Sequence, residues 1–238
     1  MTKTLHCISP VDGSTYAERK TLDAAEAQAC ADRARAAQPA WAARPLAERI
    51  ALVKAGVAKL DEMKDQLVEE LAWQMGRPTR YGGEFGGVHD RTNYMAGIAA
   101  ETLAPMVVED SAGFKRQIAR EPVGVVFIVA PWNYPYLTTI NTLVPALIAG
   151  NTVILKHASQ TLMVGERLAE AFHAAGIPFV YFGVEDHPDY HQPTDDPELV
   201  PAGFFYNAAR TVAARIAEEL QTPLGQLVGY KLRFQDRS

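Results

Sequence analysis

Two neighbouring stretches decide the fold: Glu121-Pro-Val-Gly-Val-Val-Phe-Ile-Val-Ala-Pro-Trp-Asn-Tyr-Pro135, and then Pro145-Ala-Leu-Ile-Ala-Gly-Asn-Thr-Val-Ile-Leu-Lys156. Val125 to Val129 is an unbroken apolar, mostly β-branched run, as expected of a strand covered on both faces. Asn133 to Gly150 predicts a helix with Gly150 as its stop. Val153 to Leu155 reads as a second buried strand. A second helix is expected over Leu162 to Ala175, ending at Gly176, and a third short strand over Phe179 to Phe182. From Val125 onward the order is β-α-β-α-β, the first half of a doubly wound parallel sheet. A right-handed crossover then sets Phe179–Phe182 beside Val153–Leu155. The other edge, Val125–Val129, would be left open and apolar, a surface that invites association.

Working toward the N-terminus, Phe114 to Arg120 alternates polar and apolar residues like a half-exposed strand. A helix is expected over Glu84 to Ala100. Before it, Ile50, Val53, Val57 and Leu60 recur at helical spacing, and the pattern runs on through Leu67, Leu71 and Met75 until Gly76 and Pro78. Pro45 suits the first turn of that helix. Thr21 or Asp23 can cap an alanine-rich helix reaching about Ala37. Leu5 to Ile8, followed by Pro10, Asp12 and Gly13, reads as a short strand entering a turn.

The bulk properties are those of an ordinary globular chain. Its 238 residues are 48% hydrophobic and 21% charged, enough apolar material for a core. The formal net charge of −5 is spread along the sequence, with no basic stripe to neutralise nucleic-acid phosphates. Cys7 and Cys30, the two cysteines, do not form a disulfide framework. The first ten residues lack a signal-peptide pattern, and the longest apolar run is far short of the ~20 residues that span a bilayer. The expectation is a cytoplasmic protein that binds neither nucleic acid nor membrane.

Chemistry concentrates where the strands end. Pro131–Trp132–Asn133–Tyr134–Pro135 follows the first parallel strand, and ligands of such sheets bind at strand C-terminal ends. A held asparagine amide can donate to an oxygen that gains charge during acyl chemistry. Trp132 offers a flat apolar wall, and Lys156 can reach ribose or phosphate oxygens. The same residues read equally as a turn asparagine, a core tryptophan and a solvated lysine.

The two quoted stretches, together with Trp73-Gln-Met-Gly-Arg-Pro, closely resemble the aldehyde dehydrogenase superfamily, and the likeness runs from about Leu5 to Pro178. It implies NAD(P)-dependent oxidation of a small-molecule aldehyde to an acid. The implied fold is α/β: the N-terminal half of an aldehyde dehydrogenase with a partial doubly wound, Rossmann-like parallel sheet. Residues 1–122 would form a helical region with oligomerisation-type strands, and residues 123–178 a partial dinucleotide-binding domain. By resemblance Asn133 is the oxyanion-hole amide. Ala130, Pro131 and Trp132 line the nicotinamide nucleotide, and Lys156 contacts the adenosine ribose. Ser159 stands where NAD-preferring members often carry glutamate, so NADP is expected to be tolerated.

Beyond Pro178 the pattern departs from that family. Its glycine-rich turn, Glu-Leu-Gly-Gly base motif and nucleophilic cysteine have no counterpart. Cys7 and Cys30 lie in the wrong context for a nucleophile, and Glu218–Glu219–Leu220 reads as a solvated helix end. The expectation is a chain truncated before the catalytic cysteine, inactive alone, with weak or vestigial NAD or NADP binding. Residues 179–238 form a divergent segment, and Phe179 to about Leu220 resembles the end of M28-type zinc aminopeptidases. There His191, in His187-Pro-Asp-Tyr-His-Gln-Pro-Thr-Asp195, matches a metal-binding histidine. One histidine does not hold a catalytic zinc, so no metal site is expected. The change of pattern at Pro178 suggests a hybrid or rearranged reading frame. The competing functional readings are a non-catalytic partner of a full-length dehydrogenase, or a homo-oligomer, and a metal-dependent hydrolase using His191.

Overall fold

The computed structural model of the chain describes residues 4–177 and 179–182. At their centre is a three-stranded parallel sheet: β5 (Val125–Val129), β6 (Thr152–Lys156) and β7 (Phe179–Phe182), in the order β5-β6-β7. Its middle strand is buried along its whole length. The crossovers are α5 (Pro135–Ile148) and α6 (Leu162–Ala174). The β-α-β-α-β order and the pairing of β7 with β6 agree with the sequence reading. β5 departs from it. Phe127 is 44% exposed and Val129 66% exposed, so the run is not covered on both faces among the described residues.

The Gly150–Asn151 pair ties the start of the two strands together. Gly150 has φ +92°, a left-handed turn that glycine adopts without penalty, and a Cβ there would meet Pro122 and Ala42. Asn151 then accepts from the Gly124 N–H at 3.0 Å and donates to the Ala146 carbonyl at 3.1 Å. The end of α5 is finished from elsewhere in the chain. The Trp41 indole donates to the Leu147 carbonyl at 3.0 Å, and Arg49 Nε donates to that of Ile148 at 2.9 Å.

Four helices precede the sheet. Asp23 caps α1 (Ala24–Ala42) with a reciprocal capping box to Glu26. This helix outruns its expected end at Ala37, passing through Pro39, because buried Trp41 anchors its last turn. The single helix expected from Pro45 to Met75 is two, α2 (Leu46–Glu62) and α3 (Lys64–Met75), broken at Met63. Leu60, Met63 and Leu67 keep helical spacing across the break, so periodicity alone does not reveal it. Gly76 ends α3 in a left-handed conformation. α4 (Phe85–Leu103) starts one residue after Glu84. Trp41, Val57, Leu67, Val88, Tyr136, Leu155 and Phe172 belong to one hydrophobic cluster, so helices and sheet share a core.

Two antiparallel hairpins complete the described residues: β1 (Thr4–Ile8) with β2 (Thr15–Lys20), and β3 (Met106–Ser111) with β4 (Phe114–Ile118). β2 and β3 are absent from the sequence reading. β4 is exposed throughout rather than half-exposed, so its alternation marks no buried face. The His187–Asp195 motif, His191 included, and the helix expected over Pro201 to Leu220 lie outside the described residues. Among the described residues no helix is long and apolar enough to cross a membrane.

Candidate functional site

The two motifs meet because β5 and β6 are parallel and in register. Val129 pairs with Lys156, and the Ala130 N–H adds one more rung by donating to the Lys156 carbonyl at 2.9 Å. The chains then part. One leads through Pro131–Tyr134 into α5, the other through His157 and Ala158 into a 3-10 turn, Ser159–Thr161. The split opens at the strand C-terminal ends, where such sheets bind ligands. Ala130 and Lys156 are buried, Pro131, Trp132 and Ser159 half-buried, and Asn133 exposed. All six candidate residues therefore lie at the C-terminal ends of two adjacent strands or on the connections that leave them.

α5 begins at Pro135, not at Asn133 as expected. The reason is Tyr134, which takes a left-handed conformation (φ 49°, ψ 52°), so the chain turns sharply before the helix. Pro135 fits the first helical position, since its missing N–H would have no helical partner there. Asn133 is exposed, and among the described residues its carboxamide makes no hydrogen bond.

Three residues that support this turn were not identified from the sequence. Glu84, its side chain 1% exposed, accepts from the Leu137 N–H at 2.7 Å and pairs with Arg77 at 2.5 Å. Burial pushes the Glu84 carboxyl above its usual range, while the Leu137 amide and Arg77 pull it back. Arg77 also lies 4.9 Å over the Tyr134 ring. His157 is buried between the two connections. Its Nδ1 lies 3.0 Å from the Ala158 amide nitrogen, and its Nε2 lies 3.5 Å from the Pro135 carbonyl. An acid just before a helix was visible as a local signal for Glu84. Its partner Leu137 is 53 residues away and was not.

Both thiols are buried. Cys7 is buried in β1 and donates to the Gln160 carbonyl at 3.1 Å, and burial pushes its thiol up. Cys30 is buried in α1, with Arg33 beside its sulfur. A nucleophilic cysteine needs an accessible thiolate. The native chain should therefore react slowly with an aromatic disulfide reagent and yield two thiols in denaturant. Rapid native labelling of either cysteine would contradict that placement. Among the described residues no group of three or more His, Cys, Asp or Glu side chains is arranged to hold a metal.

Residues 1–184 match the aldehyde dehydrogenase family. The chain is 32% identical over 173 residues to a vanillin dehydrogenase of Corynebacterium glutamicum, covering 72% of this chain and 36% of that protein. It is 34% identical over 170 residues to a putative NADP(+) succinate-semialdehyde dehydrogenase of Mycobacterium tuberculosis, covering 69% and 32%. The structure superposes on a NAD-dependent benzaldehyde dehydrogenase from Corynebacterium glutamicum with a TM-score of 0.70 at 30% identity, covering 78% of this chain and 41% of that one. The chain thus spans about a third of the length of these curated relatives. On the family match over most of its length, and on a fold shared with solved members, the chain belongs to the aldehyde dehydrogenase family.

Proposed function

We propose that the connections leaving β5 and β6 form one wall of a nicotinamide-nucleotide site serving aldehyde oxidation. The observation that carries this is the Ala130-to-Lys156 hydrogen bond, which sets the two motifs side by side at the strand ends. In this reading Ala130, Pro131 and Trp132 line the nicotinamide nucleotide. Lys156 and Ser159 hold the adenosine ribose. Asn133 donates from its carboxamide to the aldehyde-derived oxygen as negative charge builds there. The residues suit such a group, since an apolar wall, a cation and a free amide donor lie on adjacent connections. When bound, the nucleotide supplies the hydride acceptor.

The acyl-forming step in such chemistry needs an accessible sulfur nucleophile, and both thiols of this chain are buried. The 238 residues by themselves are therefore proposed to hold nucleotide weakly, without oxidising aldehydes. Aldehyde-dependent NAD(P)H formation by the pure chain would refute this reading, as would a failure to bind either nucleotide.

The nucleotide preference follows from Ser159. A carboxylate at this position would bind ribose hydroxyls and repel a 2′-phosphate, and serine removes the repulsion. The relative whose name carries NADP(+) supports the same inference. Ser159→Glu should weaken NADP binding by about tenfold at low salt and less as salt rises, with NAD affected little. Titrating both nucleotides into both proteins checks this. Equal losses for NAD and NADP would sink it.

A second reading is an assembly role with an intact dehydrogenase or another copy of the chain. Met106, Val107, Val108, Phe114 and Ile118 are each about half exposed on the β3–β4 hairpin, an apolar surface of the kind that associates. Sedimentation of the chain alone and mixed with an intact dehydrogenase separates the two forms. A metal-dependent hydrolase using His191 has only the sequence resemblance behind it, and zinc analysis of the same sample tests it.

A further inference from the structure

We propose that Glu84 is a positioning residue: by capping α5 and holding Arg77 over Tyr134, it fixes the turn that presents the Asn133 carboxamide to a substrate oxygen. The first amides of any helix lack intrahelical acceptors. In α5 Pro135 has no N–H, which leaves Tyr136 and Leu137 as the first donors. The N-cap side chain ordinarily supplies an oxygen to such donors, and in α5 the N-cap is Tyr134. Here no side chain at the helix start does so. The Glu84 carboxylate takes the Leu137 N–H at 2.7 Å instead. Its negative charge at the helix N-terminus is favourable in itself.

The same carboxylate holds the far side of the turn. Glu84 pairs with Arg77, and the Arg77 guanidinium lies over the ring of Tyr134, the left-handed residue between Asn133 and the helix. One brace therefore fixes the helix start and the backbone twist that presents Asn133. A 1% exposed carboxylate is costly to keep charged, and its neighbours here are an arginine and backbone amides at the start of α5. The inference rests on the reading of Asn133 as an oxygen-binding amide, and its test is independent of nucleotide binding.

The test is amide hydrogen exchange at Leu137 in the full chain, read against Leu147 near the other end of α5 to remove global destabilisation. With Glu84 present, Asn133→Ala should leave Leu137 within about twofold, because Asn133 is not the cap. Glu84→Ala should speed Leu137 exchange by about tenfold, the scale of a lost cap. In the double variant the loss should stay at about tenfold, since Asn133 precedes the N-cap and does not take over the bond. Glu84→Gln keeps an acceptor oxygen and should stay within about threefold of the native chain. It also keeps the test open if Glu84→Ala fails to fold. Fast Leu137 exchange in Asn133→Ala alone would mean Asn133 is already the cap, overturning the proposal. So would unchanged exchange in Glu84→Ala, or a Glu84→Gln effect as large as that of Glu84→Ala. NAD and NADP titration of the native chain separately decides whether Asn133's site binds nucleotide.

Discussion

Arg167→Ala should destabilise the chain by about 3 kcal/mol, lowering Tm by about 10 °C. Arg167, in α6, reaches across to Glu70 in α3 with Nε at 3.0 Å and Nη2 at 2.8 Å from the same carboxylate oxygen. The Glu70 side chain is only 8% exposed, and its remaining side-chain donor is Gln66 at 2.8 Å. The pairing pushes the guanidinium further up, chiefly through its hydrogen bonds to Glu70. Arg167 is itself about one-fifth exposed, so solvent screening holds the loss at the lower end for a broken buried pair. Removing both charges is a different matter. A Glu70→Leu, Arg167→Met double variant should recover to within about 1 kcal/mol of the native chain, because no unpaired buried carboxylate remains. Equal losses in the single and double variants would show that packing, not charge, holds α6 on α3.

That clamp bears on the site through Gln74, also in α3. Gln74 accepts from the Met163 N–H at 2.8 Å, and its carbonyl accepts from Gln160 in the 3-10 turn that starts at Ser159. Loss of the clamp should therefore loosen the turn that carries Ser159. Nucleotide binding should fall in Arg167→Ala.

Trp41→Ala should cost about 4 kcal/mol, within the 3–5 kcal/mol range for deleting a buried aromatic side chain. Trp41 is 1% exposed and sits in the main core cluster. Its loss also removes the indole donor at the Leu147 carbonyl, one of the bonds that finish α5. Trp41→Phe keeps most of the apolar volume and forfeits the hydrogen bond, so it should lose about 1–2 kcal/mol. Urea unfolding of the three proteins resolves the two contributions. A Trp41→Phe loss as large as that of Trp41→Ala would assign the whole effect to the indole N–H.

The sheet was legible because its signal is local. β-branched runs at Val125–Val129 and Val153–Leu155, a glycine stop after each helix, and lengths that fit crossovers leave few other arrangements. The strands of the β3–β4 hairpin were only half legible. Met106 and Val107 are exposed, so no buried face imposed an alternating pattern on β3. The break at Met63 was hidden for the opposite reason: the apolar stripe crosses it without losing phase.

By itself the sequence determined the α/β class, the family, and the placing of Asn133 and Lys156 at the ends of parallel strands. Each of these follows from residues close together in the chain, where spacing translates directly into geometry. Only the tertiary structure decided what supports the site: Glu84 at the foot of α5, Arg77 over Tyr134, His157 between the two connections, and Arg167 on Glu70. Most of these contacts join residues tens of positions apart, and a buried polar side chain takes whichever partner packing brings to it. Linear spacing carries no record of that choice.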